Sequence, residues 1–194
     1  MLLRTIQICI ALLAALPVSA QDKTQERAVD TQRSTITIHV GKSGLFSAAA
    51  HNHTIDAPIS SGTVQESPAP HIAFTVETAK MTVKPDPKID AKDQAEIQTH
   101  MEELTLETKK YPEITFHSSH IERAAEGEWK VDGDLSLHGV TRPVSLIVKQ
   151  TGDSWTTHTV LKQTDFGIKP ISIGGGTIKV KNEVEIDFQI FARR

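Results

Sequence analysis

The chain has 194 residues, 38% of them hydrophobic and 23% charged, with a formal net charge of −3. That balance is that of a soluble domain, and it excludes a strongly basic nucleic-acid binder, a low-complexity filament and a highly charged disordered tail. A single cysteine, Cys9, excludes a disulfide framework and any thiolate metal cluster, whereas nine histidines against one tyrosine leave a histidine metal site open.

Residues 1–20 read MLLRTIQICIALLAALPVSA. Arg4 precedes an apolar run, Pro17 breaks it, and Val18 and Ala20 supply the small residues of a cleavage site. The run is shorter than the ~20 residues of a spanning helix. Gln21, not a lipoprotein cysteine, follows it. The segment reads as a secretory signal removed after Ala20, and Cys9 leaves with it. Residues 21–33 are polar without a hydrophobic period and read as a flexible lead-in, which places the folded domain at 34–194.

From Ser34 onward a period of two dominates. Ile36, Ile38 and Val40 alternate with polar residues, as do Ile72, Phe74 and Val76. Trp129, Val131, Leu135 and Leu137 share a parity, with Gly133 where a side chain is missing. Val144, Leu146 and Val148 repeat the pattern, and so do Val184, Ile186, Phe188 and Ile190. Such alternation marks antiparallel strands with one apolar and one wet face. Glu126-Gly127 and Gly152-Asp153 are tight-turn signals. Counting runs gives about eight strands, at about 34–40, 44–53, 60–66, 71–79, 113–122, 128–138, 143–151 and 154–163, and a ninth at about 183–193. The segment 89–110 breaks the period: Ile97, Met101 and Leu104 recur at helical spacing, Asp90 and Asp93 suit a helix start, and Tyr111-Pro112 ends it. The fold class is therefore all-β, with a helical insertion. A one-faced sheet of this length must close into a barrel or split into a sandwich, and about eight strands can either fill with side chains or enclose a small ligand.

The most specific string, at 129–144, reads WKVDGDLSLHGVTRPV. It resembles the G-x-L-x-L-H-G-V-T-[KR]-P-V signature of the YceI-like family. Lys110-Tyr111-Pro112-Glu113-Ile114-Thr115-Phe116 and Asp165-Phe166-Gly167-Ile168 match in order and spacing. The stretch from Phe46 to His53 departs from the family pattern. The resemblance implies an extended lipocalin-like antiparallel barrel in the periplasm, holding an isoprenoid-like lipid or other amphiphile, with no catalytic residues and no cofactor. It provides a barrel around Phe46, Phe74, Phe116, Phe166 and Phe188, which mostly share parity with the apolar faces of their strands. These five are the expected ligand-contacting residues, with Ile97 and Met101 near the helical side.

Other chemistry is weaker. His51 and His53 lie two apart, which in a strand places both imidazoles on one face, and His117 and His120 could complete a three-histidine site. A periplasmic metal-binding or redox-accessory protein using His51 and His53 is the alternative, and a stress-related barrel with no ligand a third. His138 lies opposite in parity to Leu135 and Leu137, so a turn-stabilising hydrogen bond is expected. Gly174-Gly175-Gly176 is followed by strand-like rhythm, which favours a rim bend over a phosphate cradle. Nucleic acid and a membrane span are not expected as partners. Assembly stays open between a single chain and a homodimer.

Overall fold

The structure, a computed structural model, describes residues 26–43, 51–173 and 178–193. The signal-like segment, Phe46 and the glycine triplet lie outside the described residues. Alternating residues build strands β1 (Glu26–Ala28), β2 (Thr35–Ser43), β3 (His53–Asp56), β4 (Ile59–Gln65), β5 (His71–Glu77), β6 (Thr82–Val83), β7 (Glu113–Ala125), β8 (Glu128–Leu137), β9 (Val140–Thr151), β10 (Ser154–Lys162), β11 (Ser172–Ile173) and β12 (Ile178–Phe191). All belong to one sheet, in which neighbours pair antiparallel in the order β1-β4-β5-β7-β8-β9-β10-β12-β2-β3-β6, with β11 on β12.

That order returns on itself. β12 pairs with β2, β2 with β3, and only Ala57-Pro58 separate β3 from β4, which pairs with β5. β3 and β4 thus behave as one kinked strand, and the pairing closes an extended lipocalin-like barrel. β1 and β2 likewise lie along one edge, since Val29 bridges Ala192 while Thr35 pairs with Gln189. With both mergers made, and the two-residue β6 and β11 set aside, the twelve strands reduce to the expected eight.

Residues 21–33, expected as a flexible lead-in, are structured from Glu26 onward, and this corrects the placement of the domain start. β1 pairs with β4, and the Val29 amide donates to the Gly62 carbonyl at 2.8 Å. Val29 is only 1% exposed, seated where a Cβ on Gly62 would lie 2.8 Å from its Cγ2. One apolar residue in a polar run carries no period, so its burial has no signature in the sequence.

The hairpin signals at Glu126-Gly127 and Gly152-Asp153 each join neighbouring strands, with both glycines at positive φ. The helical insertion is α1 (Ala91–His100), capped by Asp90, whose carboxylate accepts from the Asp93 amide at 2.9 Å. A π-helical turn, Met101–Thr105, follows, and the Leu106 amide donates to the Met101 carbonyl. That i to i+5 step moves the buried stripe from Leu104 to Leu106. Leu106 is accordingly buried and Leu104, expected on the apolar face, is 63% exposed. No helix among the described residues is long and apolar enough to cross a membrane.

The gap at Gly133 is filled from next door. A Cβ there would stand 2.5 Å from the His117 carbonyl oxygen and 2.6 Å from the Phe116 ring. Backbone cannot retreat as a flexible side chain can. Gly133→Ala is therefore expected to destabilise the fold by about 1–3 kcal/mol, read as a lower denaturant midpoint with an unchanged slope; an unchanged midpoint would show that β7 yields.

Candidate ligand-binding cavity

Closing the ladder turns Ile36, Ile38 and Val40 of β2 and Val184, Ile186, Phe188 and Ile190 of β12 to the inside, with the matching faces of β5, β7 and β8. Ile36, Phe74, Val76, Phe116, Val131, Val184, Ile186 and Ile190 are buried there. Ile38, Val40, Leu135, Leu137, Leu161 and Phe188 point the same way yet are only partly buried. The reason is that the interior is hollow.

Two cavities lie in series. The first, about 250 Å³, lies under α1 and the π turn and is bounded by Ile97, Met101 and Leu106 together with Met81, Phe166 and Ile168. The second, about 350 Å³, lies toward the 65–71 hairpin between Phe116, Trp129, Trp155, Leu146 and Ile190. Phe74, Leu135, Leu161 and Phe188 bound both. These four form a waist, with the Phe74 and Phe188 rings 6.1 Å apart and the Phe116 ring tilted against Phe74 at 5.5 Å. Each cavity has the size of a small-molecule pocket or approaches it.

Polar groups gather at the two ends and on β10. His53, His100, Thr105 and Gln163 fringe the first cavity. Gln65, Glu66, Ser67 and His71 fringe the second, with Thr157 and Thr159 on its β10 wall. His53 is the polar group whose chemistry this environment alters. Burial holds its imidazole below the ordinary histidine value, neighbouring His51 adds to the effect, and Asp86 opposes it.

The structure places Phe74, Phe116, Phe188, Ile97, Met101 and Phe166 on the walls of these cavities, Phe166 from a 3-10 turn (Gln163–Phe166), not a strand. Alternation alone offered no reason to select Leu135 and Leu161 for the waist. Met81 and Leu106 lie in irregular segments and had no periodic signal. His51 and His53 are close enough to influence each other, and His51 Nδ1 lies 3.7 Å from Asp86. His117 and His120 lie on β7 opposite Asp134 and Asp132. Among the described residues no three metal-ligating groups converge.

The three motif strings meet at one end of the barrel. His138 and Gly139, both at positive φ, form the two-residue turn joining Leu137 to Val140. His138 Nε2 bonds the Glu107 carboxylate at 2.8 Å, and its ring lies 4.2 Å from that of Tyr111. A Cβ on Gly139 would collide with Tyr111 at 2.6 Å. From the third string, the Asp165 carbonyl accepts from Arg142 Nε at 3.1 Å, and Gly167 turns at positive φ beside Val140 and His138.

An antiparallel barrel with a floor built from three sequence motifs and an apolar, two-chambered interior is a lipocalin-like architecture. The model of the YceI-like domain family matches residues 28–192, and the chain belongs to that family. A UPF0312 protein of Shewanella putrefaciens is 27% identical over 199 residues, covering 93% of each chain. A UPF0312 protein of Pseudomonas putida is 37% identical over 90 residues, 41% of this chain; the match spans 47%, about half, of that curated relative. Among solved structures, Burkholderia cenocepacia BcnA aligns with a TM-score of 0.62 at 21% identity, covering 85% of this chain and 99% of that one. A polyisoprenoid binding domain from Saccharophagus degradans, implicated in plant cell wall breakdown, aligns at 0.58 and 16% identity, covering 88% and 99%. At these identities the likeness is one of fold.

His53 gives a pH test. Its folded pKa lies below its unfolded value of about 6.5, so on acidification the unfolded chain takes the proton first. The stability this group contributes is present above about pH 6.5 and is lost as pH falls toward its folded pKa. His53→Gln should therefore flatten the dependence of the melting temperature on pH between about 7.5 and 5; a slope identical to the parent's would contradict the placement of this imidazole.

Proposed function

We propose that this protein is a periplasmic binding or carrier protein for an isoprenoid-like or similar amphiphilic lipid, held along the barrel axis. The observation that carries the reading is the pair of apolar chambers joined at the Phe74, Leu135, Leu161 and Phe188 waist. A flexible chain long enough to occupy both must pass that waist, whereas a compact ligand would use one. Burial of hydrocarbon contributes about 0.8 kcal/mol per CH₂, so affinity needs few polar contacts, and polar groups concentrated at the ends suit a single headgroup. The fold of the Saccharophagus degradans polyisoprenoid binding domain supports the same ligand class. A barrel with no ligand would be expected to fill its interior with side chains, and the described side chains of this one leave both chambers open.

Two experiments test the proposal. Protein purified without detergent should release a prenyl or acyl lipid on organic extraction, detected by mass spectrometry. Leu135→Trp should then block the waist, weakening a geranylgeranyl probe at least tenfold, about 1.4 kcal/mol, while leaving a short geranyl probe within threefold. Equal affinity of parent and variant for the long probe, or no lipid in the extract and no saturable probe binding, would defeat the carrier reading. For the secretory part, N-terminal sequencing of periplasmic material should begin at Gln21; a chain that retains Arg4 there would overturn the cleavage site.

A further inference from the structure

Among the described residues, every neighbouring pair of long strands around the barrel is laddered over most of the shorter strand except one. β8 and β9 pair from Glu128↔Lys149 through Leu137↔Val140, and β10 and β12 from Ser154↔Phe191 through Lys162↔Glu183. Between β9 and β10 the ladder covers only Ser154↔Thr151, Trp155↔Gln150 and Thr156↔Lys149. Yet β9 reaches back to Val140 and β10 runs on to Lys162. Two strand edges therefore face each other along the wall without a backbone ladder.

The cause is local. After Lys162 the chain turns into the 3-10 turn Gln163–Phe166 instead of continuing beside β9. Phe166 is driven into the floor, 2% exposed, and the Asp165 carbonyl is tied to Arg142 on β9. This turn is a wedge that holds the far ends of β9 and β10 apart, while the Gly152-Asp153 hairpin holds their near ends together. Within the seam, Thr157 Oγ1 donates to the Ile147 carbonyl at 2.7 Å, so a rotatable hydroxyl bonds this carbonyl.

Aliphatic side chains predominate on both faces of the seam, with Thr157 and Thr159 the polar members inside and His158 outside. Val144, Leu146, Val148 and Leu161 border it inside the second cavity. Outside, Ile147 and Val160 are 50% and 51% exposed. Only three large hydrophobic residues stand exposed among the described residues, and two of them are the outer lips of this one seam. Elsewhere on the outer wall the strands present polar side chains at such positions. An unpaired edge is a liability that proteins usually cover or charge; here it is lined with methyl groups and opens onto a hollow interior.

We infer that the β9–β10 seam is a lateral portal, through which a flexible hydrocarbon tail enters and leaves the second cavity sideways. The inference rests on the carrier reading and specifies its cargo: a single flexible chain, not a rigid polycycle, because the slot lies between two strands and widens only as far as side-chain bonds such as that of Thr157 let go. The tail crosses apolar lips on both faces and is never fully hydrated on the way.

The test bridges the seam. If the register of β9 and β10 is continued past Lys149↔Thr156, Ile147 and His158 come opposite one another on the outer face. The double variant I147C/H158C, in a chain that begins at Gln21 and holds no other cysteine, can be spanned by a bifunctional maleimide. Loading and release of a fluorescent farnesyl probe should each slow at least tenfold on bridging relative to each single variant treated alike, with the equilibrium affinity changed less than threefold. A bridged protein that exchanges the probe at the parent rate overturns the portal. Should the bridge prove unobtainable, Ile147→Asp and Val160→Asp place charges on exposed lips without touching the core. Each should slow loading and release in step several-fold, and parent rates in both would again overturn it. A parent that binds no prenyl probe removes the carrier reading itself; a parent that binds, with rates indifferent to bridge and lip charge, removes the portal alone.

Discussion

Closure of the ladder is the constraint from which the other features follow. Residues 26–43 run along β12 on one side and meet β3 and β4 on the other, so the sheet has no free long edge there. Once the strands form a ring, one face of each points at a shared axis, and here that face is mostly apolar. The ring also fixes the interior width. The side chains supplied, mostly valine, leucine and isoleucine with a few phenylalanines, do not reach across it everywhere. They meet at Phe74 and Phe188 and leave space on both sides.

The ends of the barrel are managed differently. At the end under α1, the His138-Gly139 turn, Tyr111 and the Phe166 turn pack on each other, and each needs the others: the positive φ of Gly139 suits a turn that a side chain would push into Tyr111. The cross-chain bonds from Glu107 to His138 and from Arg142 to Asp165 fix their relative positions. These contacts explain why the three strings that identify the family are dispersed along the chain yet recognisable together. They build one floor, and the wedge that separates β9 from β10 is part of it.

Much of this was legible beforehand, and for a definite reason. Alternation reports which face of a strand is wet, so the interior positions Ile36, Phe74, Val131 and Ile186 could be read from parity. Tight turns at Gly127 and Gly152 announce themselves because few other residues tolerate positive φ. The rest failed where period carries no information. Val29 is one apolar residue among polar ones. Leu104 lost its place to Leu106 because a single i to i+5 hydrogen bond shifts every later side chain around the helix. Parity also says nothing about fullness: Leu135 and Leu161 face inward just as Val131 does, and only the assembled ring shows that they border open space.

That distinction between facing inward and being packed governs the chemistry of the interior. An inner wall atom with no partner across the gap forfeits dispersion contacts that a filled core would make. The protein keeps such positions in a continuous strip from Met101 past Phe188 to Trp155, passing through both chambers. A chain of CH₂ groups laid along that strip would restore the missing contacts without needing any directional bond, which is why identity along the chain matters less than length and flexibility. Polar demands would then fall on one terminus only, at the fringe of His53, His100 and Gln163 or at that of Gln65, Ser67 and His71. The seam between β9 and β10 adds a kinetic side to the same physics. A hydrocarbon admitted along the wall meets apolar surface from its first contact with Ile147 and Val160, before its tip reaches the waist.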